Sequence, residues 1–501
     1  MLFADRTILR KYMKENSWIP YLIVFAAGLA LRFICIGSKS LWVDEAYAAG
    51  LMDRSITDLI TMSTAGSPHP PLAFLFIKLS SVIFGNSEAG LRVVSALASA
   101  LAAIPLMAFI SRKINLKSAF WAGMIWAVSP FAVSLGQEAW LYGITAFFGF
   151  LFIDIADRAW RGNRRAVFAL LPIALIGMII QHLFGLYIIA GFGLYFTVPR
   201  QDRLKFSRFV LLICLFLLFY SPFCLLLIKQ ASFRADRMSR AGLDMAAVLK
   251  YRFLIRIPSV FARLIPGGLL IEAGRQFLVD KKQIFFWCIF GCGQLLLLIN
   301  LFLRNVLNSK FRNWLLLVFV LPFLIFLKED PTVRHLTILW IPLAFAIASA
   351  VDRWKRSGPV ILAITAIMLS PYYNISSFPY HRADWRAAVE FVENRIEHGE
   401  SVLVIGGQSG GLIWDYYCDE NTTRTVFGVD DPYTENLTPP STGADFVIDS
   451  LLHEYDSIWI VKDYWGGPRA ADFASDHVIL LENWISPLME ILHVSSGPAG
   501  Q

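Results

Sequence analysis

Residues 18–50 read WIPYLIVFAAGLALRFICIGSKSLWVDEAYAAG. The stretch 18–36 contains no acidic residue. It is about as long as the 20 or so apolar residues that cross a bilayer core. SLWVDEAY follows at once and sets two adjacent carboxylates, Asp44 and Glu45, among aromatic residues. A chain that leaves a membrane and immediately presents a paired acid predicts a membrane protein with chemistry at one interface.

The rest of the sequence repeats the first half of that pattern. Of 501 residues, 56% are apolar and 17% charged, against about a quarter charged in an ordinary soluble domain. Apolar runs recur near 18–36, 89–110, 118–135, 140–157, 166–181, 185–198, 208–228, 283–303, 313–327, 334–351 and 358–374. Between them lie cation-rich junctions such as Arg112-Lys113-Lys117 and Arg158-Arg161-Arg164-Arg165. Cationic junctions stay in the cytoplasm, which predicts eleven spans with the N-terminus inside and the C-terminus outside. The net charge of +7 is thereby explained without nucleic acid. No cleavable signal is expected, because the first apolar run follows a charged stretch and no small-residue site follows it.

Two segments need separate treatment. PLAFLFIKLSSVIF, 71–84, is short: about 20 Å as a helix, against a core of about 30 Å. It is expected to lie at the outer interface or re-enter it. The run 166–198 is too long for one helix and is expected as a hairpin of two short spans, with His182 at its turn. Beyond Pro371 the character changes. DWRAAVEFVENRIEHGESVLVIGG reads as an amphipathic helix and then an apolar strand, and DSIWIVKDYWGG repeats the strand signal. The expected division is a membrane domain over 1–375 and a small soluble α/β domain over 376–501. GGQSGG at 406–411 is expected as a strand-exit turn.

Ionisable groups at membrane depth are functional candidates, because desolvating them is costly. Asp44 and Glu45 follow the first span, and Glu138 lies at the outer end of the third, with Gln137 beside it and Tyr142 four residues on. His69 opens the short helix, and Arg334-His335 opens the tenth span. In this topology all face the same leaflet. A carboxylate can take a proton from an attacking hydroxyl, and Arg or His can stabilise charge on a departing phosphate. The absence of a Walker loop, a Rossmann glycine fingerprint and HExxH leaves nucleotide and metalloprotease chemistry without support.

SLWVDEAY, SPHPPLAFLFIKLSSVIFGNSEAGLRVVSAL and SPFAVSLGQEAWLYGITAFF, in this order, resemble the successive blocks of the family 39 and family 83 glycosyltransferases. These include protein O-mannosyltransferases, the lipid A aminoarabinose transferase and rhizobial galacturonosyltransferase-like enzymes. The resemblance covers roughly the first 200 residues, with a weaker echo in VRHLTILWIPLAFAIA and HRADWRAAVEFV. It implies an all-α polytopic fold of the GT-C type. It also implies a sugar taken from a polyprenyl-phosphate carrier and given to an extracytoplasmic glycan, lipid or protein, with inversion. It places Asp44 near the acceptor as general base, with Glu45 and Glu138 shaping the site. His69, Gln137, Tyr142, His182, Arg334 and His335 would then bind the sugar and the lipid phosphate. The chain departs from the pattern at Trp140, where many relatives carry arginine, and at His335, where they often carry tyrosine. No cofactor is expected; the paired acids are of a kind that can bind Mg²⁺, but no metal is predicted. The expected location is a bacterial inner membrane, with the C-terminal domain periplasmic. A transporter or flippase of lipid-linked sugars is the alternative. It would use the same cations, but the acids cluster on one side and no related halves are visible.

Overall fold

The computed structural model describes residues 18–65, 70–221, 264, 281–303, 307–323, 333–373, 384–405, 407–418, 424–427, 444–463, 470–474, 477–486 and 489–496. The helices of the first part are α1 (Ile19–Phe33), α2 (Val43–Gly50), α3 (Ile56–Ala65), α4 (Leu72–Phe84), α5 (Glu88–Leu101), α6 (Ala103–Lys113), α7 (Leu116–Val128), α8 (Pro130–Gly136), α9 (Leu141–Trp160), α10 (Arg164–Ile180) and α11 (Gly185–Gly193). After them come α12 (Phe206–Ser221), α13 (Lys281–Leu303), α14 (Ser309–Val320), α15 (Trp340–Arg353) and α16 (Ser357–Tyr373). Among the described residues a helix stands at every apolar run singled out in the sequence. The segments Glu88–Lys113 and Arg334–Arg353 are long and apolar enough to cross a bilayer alone, and α7 with α8 makes a third if counted as one bent span.

That bend departs from the single straight span expected over 118–135. The two helices meet at 60°. Ser129 is extended (φ −61°, ψ 126°), and its side chain accepts from the Ala132 amide at the start of α8, with Pro130 in the first turn. A residue before proline is pushed out of the α region, so the Ser-Pro pair ends one helix and caps the next. Over 166–198 the chain breaks into two helices: α10 ends at Ile180, a short 3-10 turn spans His182–Phe184, and α11 follows. Helix α4 has 13 residues, about 20 Å, and packs along α5.

The bundle core is aromatic. Trp126 and Trp340 are wholly buried and meet edge to face at 5.0 Å. Helix α9 has 20 residues and is about 30 Å long, the thickness of the hydrocarbon layer. Its far end carries Asp154 and Asp157, both buried. Asp154 pairs with Arg112 (2.6 Å) and Arg158 (2.5 Å), and Asp157 with Lys113 (2.5 Å) and Arg161 (3.4 Å). Two of the cationic junctions read from the sequence are thus gathered at one end of the bundle.

The C-terminal part contains α17 (Trp385–Glu393), β1 (Ser401–Ile405), α18 (Gly407–Tyr417), β2 (Arg424–Phe427), α19 (Ala444–Glu454), β3 (Ser457–Asp463), α20 (Ala470–Phe473), β4 (Val478–Ser486) and β5 (Met489–Ser495). The strands form one sheet in the order β2-β1-β3-β5-β4; β1 is parallel to β2 and β3, and β5 is antiparallel to β3 and β4. The expected turn at 406–411 is corrected: 407–411 form the first turns of α18. A Cβ on Gly411 would come within 2.8 Å of Val426, so glycine lets α18 lie close on the sheet.

Candidate active site

The site forms at the end of α9 opposite the buried aspartates. Trp42 is extended (φ −108°, ψ 173°) and the chain turns into α2, with Asp44 and Glu45 in its first turn. Successive helical residues point about 100° apart, so the two acids face different surroundings. Asp44 reaches Arg334, whose Nη2 lies 3.3 Å from Oδ2. Nη1 of the same guanidinium lies 3.8 Å from Glu138 Oε2. The guanidinium sits over the Trp42 ring at 3.9 Å and the Tyr142 ring at 5.2 Å, where ring electrons favour a cation. Tyr142 Oη and His335 Nε2 are hydrogen-bonded at 2.7 Å. The structure therefore brings Asp44, Glu138, Tyr142, Arg334 and His335 into one cluster. The side chains of Asp44 and Arg334 remain 30% and 22% exposed, open to a substrate.

Glu45 is used differently. It is fully buried. Its carboxylate accepts from Arg92 Nε (2.7 Å) and Nη2 (2.9 Å), from the Ala139 amide (2.7 Å) and from the Trp42 amide (3.4 Å). Arg92 donates further to the carbonyls of Ile36, Lys39 and Ser40. All five guanidinium N–H groups are thereby used. Glu45 and Arg92 tie the loop before α2, α2 itself and the turn before α9 into one unit. Glu45 is buried against Arg92 and, unlike Asp44, is closed to solvent.

Gln137 also points inward: its Nε2 donates to the carbonyls of Arg32 (3.1 Å) and Ile34 (2.7 Å). It anchors the end of α1 with both of its amide protons. His182 is part-buried in the turn between α10 and α11. His69 and, apart from Leu264, residues 229–280 of the Arg- and Lys-rich stretch 229–282 lie outside the described residues. Among the described residues no three His, Cys, Asp or Glu side chains gather into a metal-binding group.

Sequence reasoning missed Trp42 and Arg92. Arg92 carried a signal, since it is a lone cation inside an apolar run, GLRVVSAL, and such groups need a partner. Trp42 lies two residues from Asp44 but carried no polar signal.

A Ser-His-Glu group lies in the C-terminal part. His493 Nε2 is 2.7 Å from Glu400 Oε1 and 3.1 Å from Ser457 Oγ. One nitrogen faces both partners, whereas a triad needs the two ring nitrogens on opposite tasks. The group is a structural clasp between strands.

Residues 68–225 match the profile of the family described as Dolichyl-phosphate-mannose-protein mannosyltransferase. ArnT from Cupriavidus metallidurans in the apo state superposes with a TM-score of 0.57 at 11% identity, covering 97% of this chain and 100% of that one. The same protein bound to undecaprenyl phosphate gives 0.57 at 12%, covering 97% and 99%. The oligosaccharyltransferase of Archaeoglobus fulgidus in its apo form gives 0.53 at 14%, covering 90% of this chain and 70% of that one. No curated protein matches in sequence. The family match and the shared architecture define a membrane protein with the GT-C glycosyltransferase fold.

Proposed function

We propose that the protein moves a sugar from a polyprenyl-phosphate carrier to an acceptor outside the cytoplasm. The observation that carries this reading is the open cluster of Asp44, Glu138 and Arg334 on the faces of Trp42 and Tyr142. Asp44 takes the proton of an acceptor hydroxyl. The hydroxyl oxygen bonds to the anomeric carbon from the face opposite the phosphate, the bond from that carbon to the phosphate oxygen breaks, and the configuration inverts. Arg334 stabilises the departing phosphate, whose oxygens a planar guanidinium can hold in pairs.

Among the described residues Arg334 is the cation that meets both Asp44 and Glu138, and the Arg- and Lys-rich stretch 229–282 is the second source of positive charge we assign for the incoming phosphate. The reading gives no step to a nucleotide or a metal.

The lipid class of the donor is supported by relatives: one ArnT structure holds undecaprenyl phosphate. The archaeal oligosaccharyltransferase AglB has been solved with an inhibitory peptide and a dolichol-phosphate. Charge supports a location. The clustered cations Arg112, Lys113, Arg158 and Arg161 sit a full helix length from the site, and cationic ends favour the cytoplasm. This supports a site, with the C-terminal part beside it, on the outer side of a bacterial inner membrane.

The experiment is donor turnover by purified protein with a polyprenyl-phosphate sugar and candidate acceptors. Acceptor-dependent release of polyprenyl phosphate supports the reading. Binding of the donor with no release under any acceptor, and movement of donor across vesicles, would replace it with transport.

A further inference from the structure

Successive residues of helix α2 face different partners. Asp44 faces Arg334, and Glu45 faces Arg92. The next residue, Ala46, is buried in the core of the C-terminal domain with Trp385 and Trp414. At the far end of α2, a Cβ on Gly50 would touch Leu412 of α18 at 3.9 Å. The soluble domain therefore lies directly against the helix that carries Asp44.

Polar contacts fasten this packing at one point. Tyr417, the last residue of α18, accepts from the Leu41 amide at 2.6 Å and donates to Glu88 Oε1 at 2.9 Å. Burial pushes the Tyr417 phenol well above its ordinary range, so it stays protonated and remains a donor. Arg386 of α17 pairs with the same Glu88 oxygen and donates to the Gly37 carbonyl at 3.1 Å. Tyr416 donates to the Asn86 carbonyl at 2.6 Å. Glu88 and Arg92 are one helical turn apart on α5, where residues i and i+4 share a face. The outer end of α5 thus holds the segment 36–50 twice, through Arg92 from below and through Glu88, Tyr417 and Arg386 from the side.

We propose that Tyr417 and Arg386 are positioning residues, and that the C-terminal domain is a brace that fixes α2 so that Asp44 meets the substrate. This inference rests on the sugar-transfer reading for its catalytic consequence but not for its structural one. A displacement of about 1 Å at a reacting group can lower a rate about 100-fold. Loosening the brace should move Asp44 while leaving Arg334, which lies on another segment, in place to hold donor.

The test uses the full-length protein carrying Tyr417→Phe or Arg386→Gln, compared with Arg386→Lys and with Glu400→Gln. The last variant weakens the same domain at the strand clasp, away from α2. Hydrogen exchange over 38–50 should rise in Tyr417→Phe and Arg386→Gln, stay at the wild-type level in Glu400→Gln, and fall back partly in Arg386→Lys. In donor turnover, kcat should drop about 10- to 100-fold in the first two variants, with donor KM within about two-fold of wild type. Unchanged exchange over 38–50 in both Tyr417→Phe and Arg386→Gln would overturn the brace, whatever the reaction. Raised exchange with unchanged kcat would overturn its role in positioning. A wild-type protein that releases no polyprenyl phosphate would instead sink the sugar-transfer reading, and the exchange arm would still judge the brace.

Discussion

Glu45→Gln separates the roles of two neighbouring acids. The substitution keeps the size of the side chain and removes its charge. In the folded protein this carboxylate accepts four hydrogen bonds, two of them from Arg92. Both side chains are essentially excluded from solvent, at 0% and 1% exposure. Glutamine retains one acceptor oxygen and turns an NH₂ group toward donors. Arg92 is then left as a buried charge without its counterion. Breaking a buried pair from one side destabilises by about 3–5 kcal/mol, whereas replacing both partners by apolar groups of similar volume costs far less. Glu45→Gln should therefore lower the unfolding temperature in detergent sharply, and Glu45→Met combined with Arg92→Met should recover part of the loss. Thermal unfolding followed by tryptophan fluorescence, with size-exclusion to confirm monodispersity, measures both. A Glu45→Gln protein as stable as wild type would refute the account of the pair. A double variant no more stable than Glu45→Gln would refute the charge-burial reasoning.

Three other outcomes follow from the same geometry. Arg334→Ala should weaken donor binding strongly and Arg334→Lys should restore only part, because an ammonium cannot hold two oxygens in a planar fork; equal donor titrations for all three proteins would move the phosphate role to 229–282. Tyr142→Phe removes the hydroxyl paired with His335 while keeping the ring under Arg334, so it should reduce turnover less than Tyr142→Ala, as paired rate measurements would show. In the C-terminal domain, burial raises the Glu400 carboxyl, but hydrogen bonds from Ser457, the Glu397 amide, Trp459 and His493 outweigh it and hold the group below its ordinary 4.5. A lowered carboxylate stabilises the fold above the unfolded value and loses that contribution as pH falls through the folded one. Unfolding temperature should thus fall below about pH 4.5 in wild type and change less over that range in Glu400→Gln.

How far the sequence discloses this molecule depends on the range of the interaction. Helices made of long apolar runs are local, and their places were legible from hydropathy and charge. The convergence of Asp44, Glu138 and Arg334 was legible only through topology, because alternating spans return these residues to one end. The bend at Ser129–Pro130 carried a local signal that a continuous apolar run hid. What the sequence concealed is pairing across distance. Glu45 with Arg92 and Tyr417 with Leu41 and Glu88 depend on how helices pack, and no periodicity records that. The burial of Glu45 follows from the same cause: Asp44 and Glu45 look alike as neighbours, and one helical step sends them to different partners. Gln137 is a further case, a polar residue beside the site whose amide group donates to backbone carbonyls of α1 and the turn after it.

The most direct measurement of the central claim compares wild type with Asp44→Asn on a polyprenyl-phosphate sugar in the presence of acceptor. The variant keeps the size of the side chain and leaves Glu45, Arg92 and the brace untouched. The account predicts acceptor-dependent release of polyprenyl phosphate by wild type and a rate lower by about a hundred- to ten-thousand-fold in Asp44→Asn, with folding and donor binding retained. Equal rates at matched protein levels would contradict it.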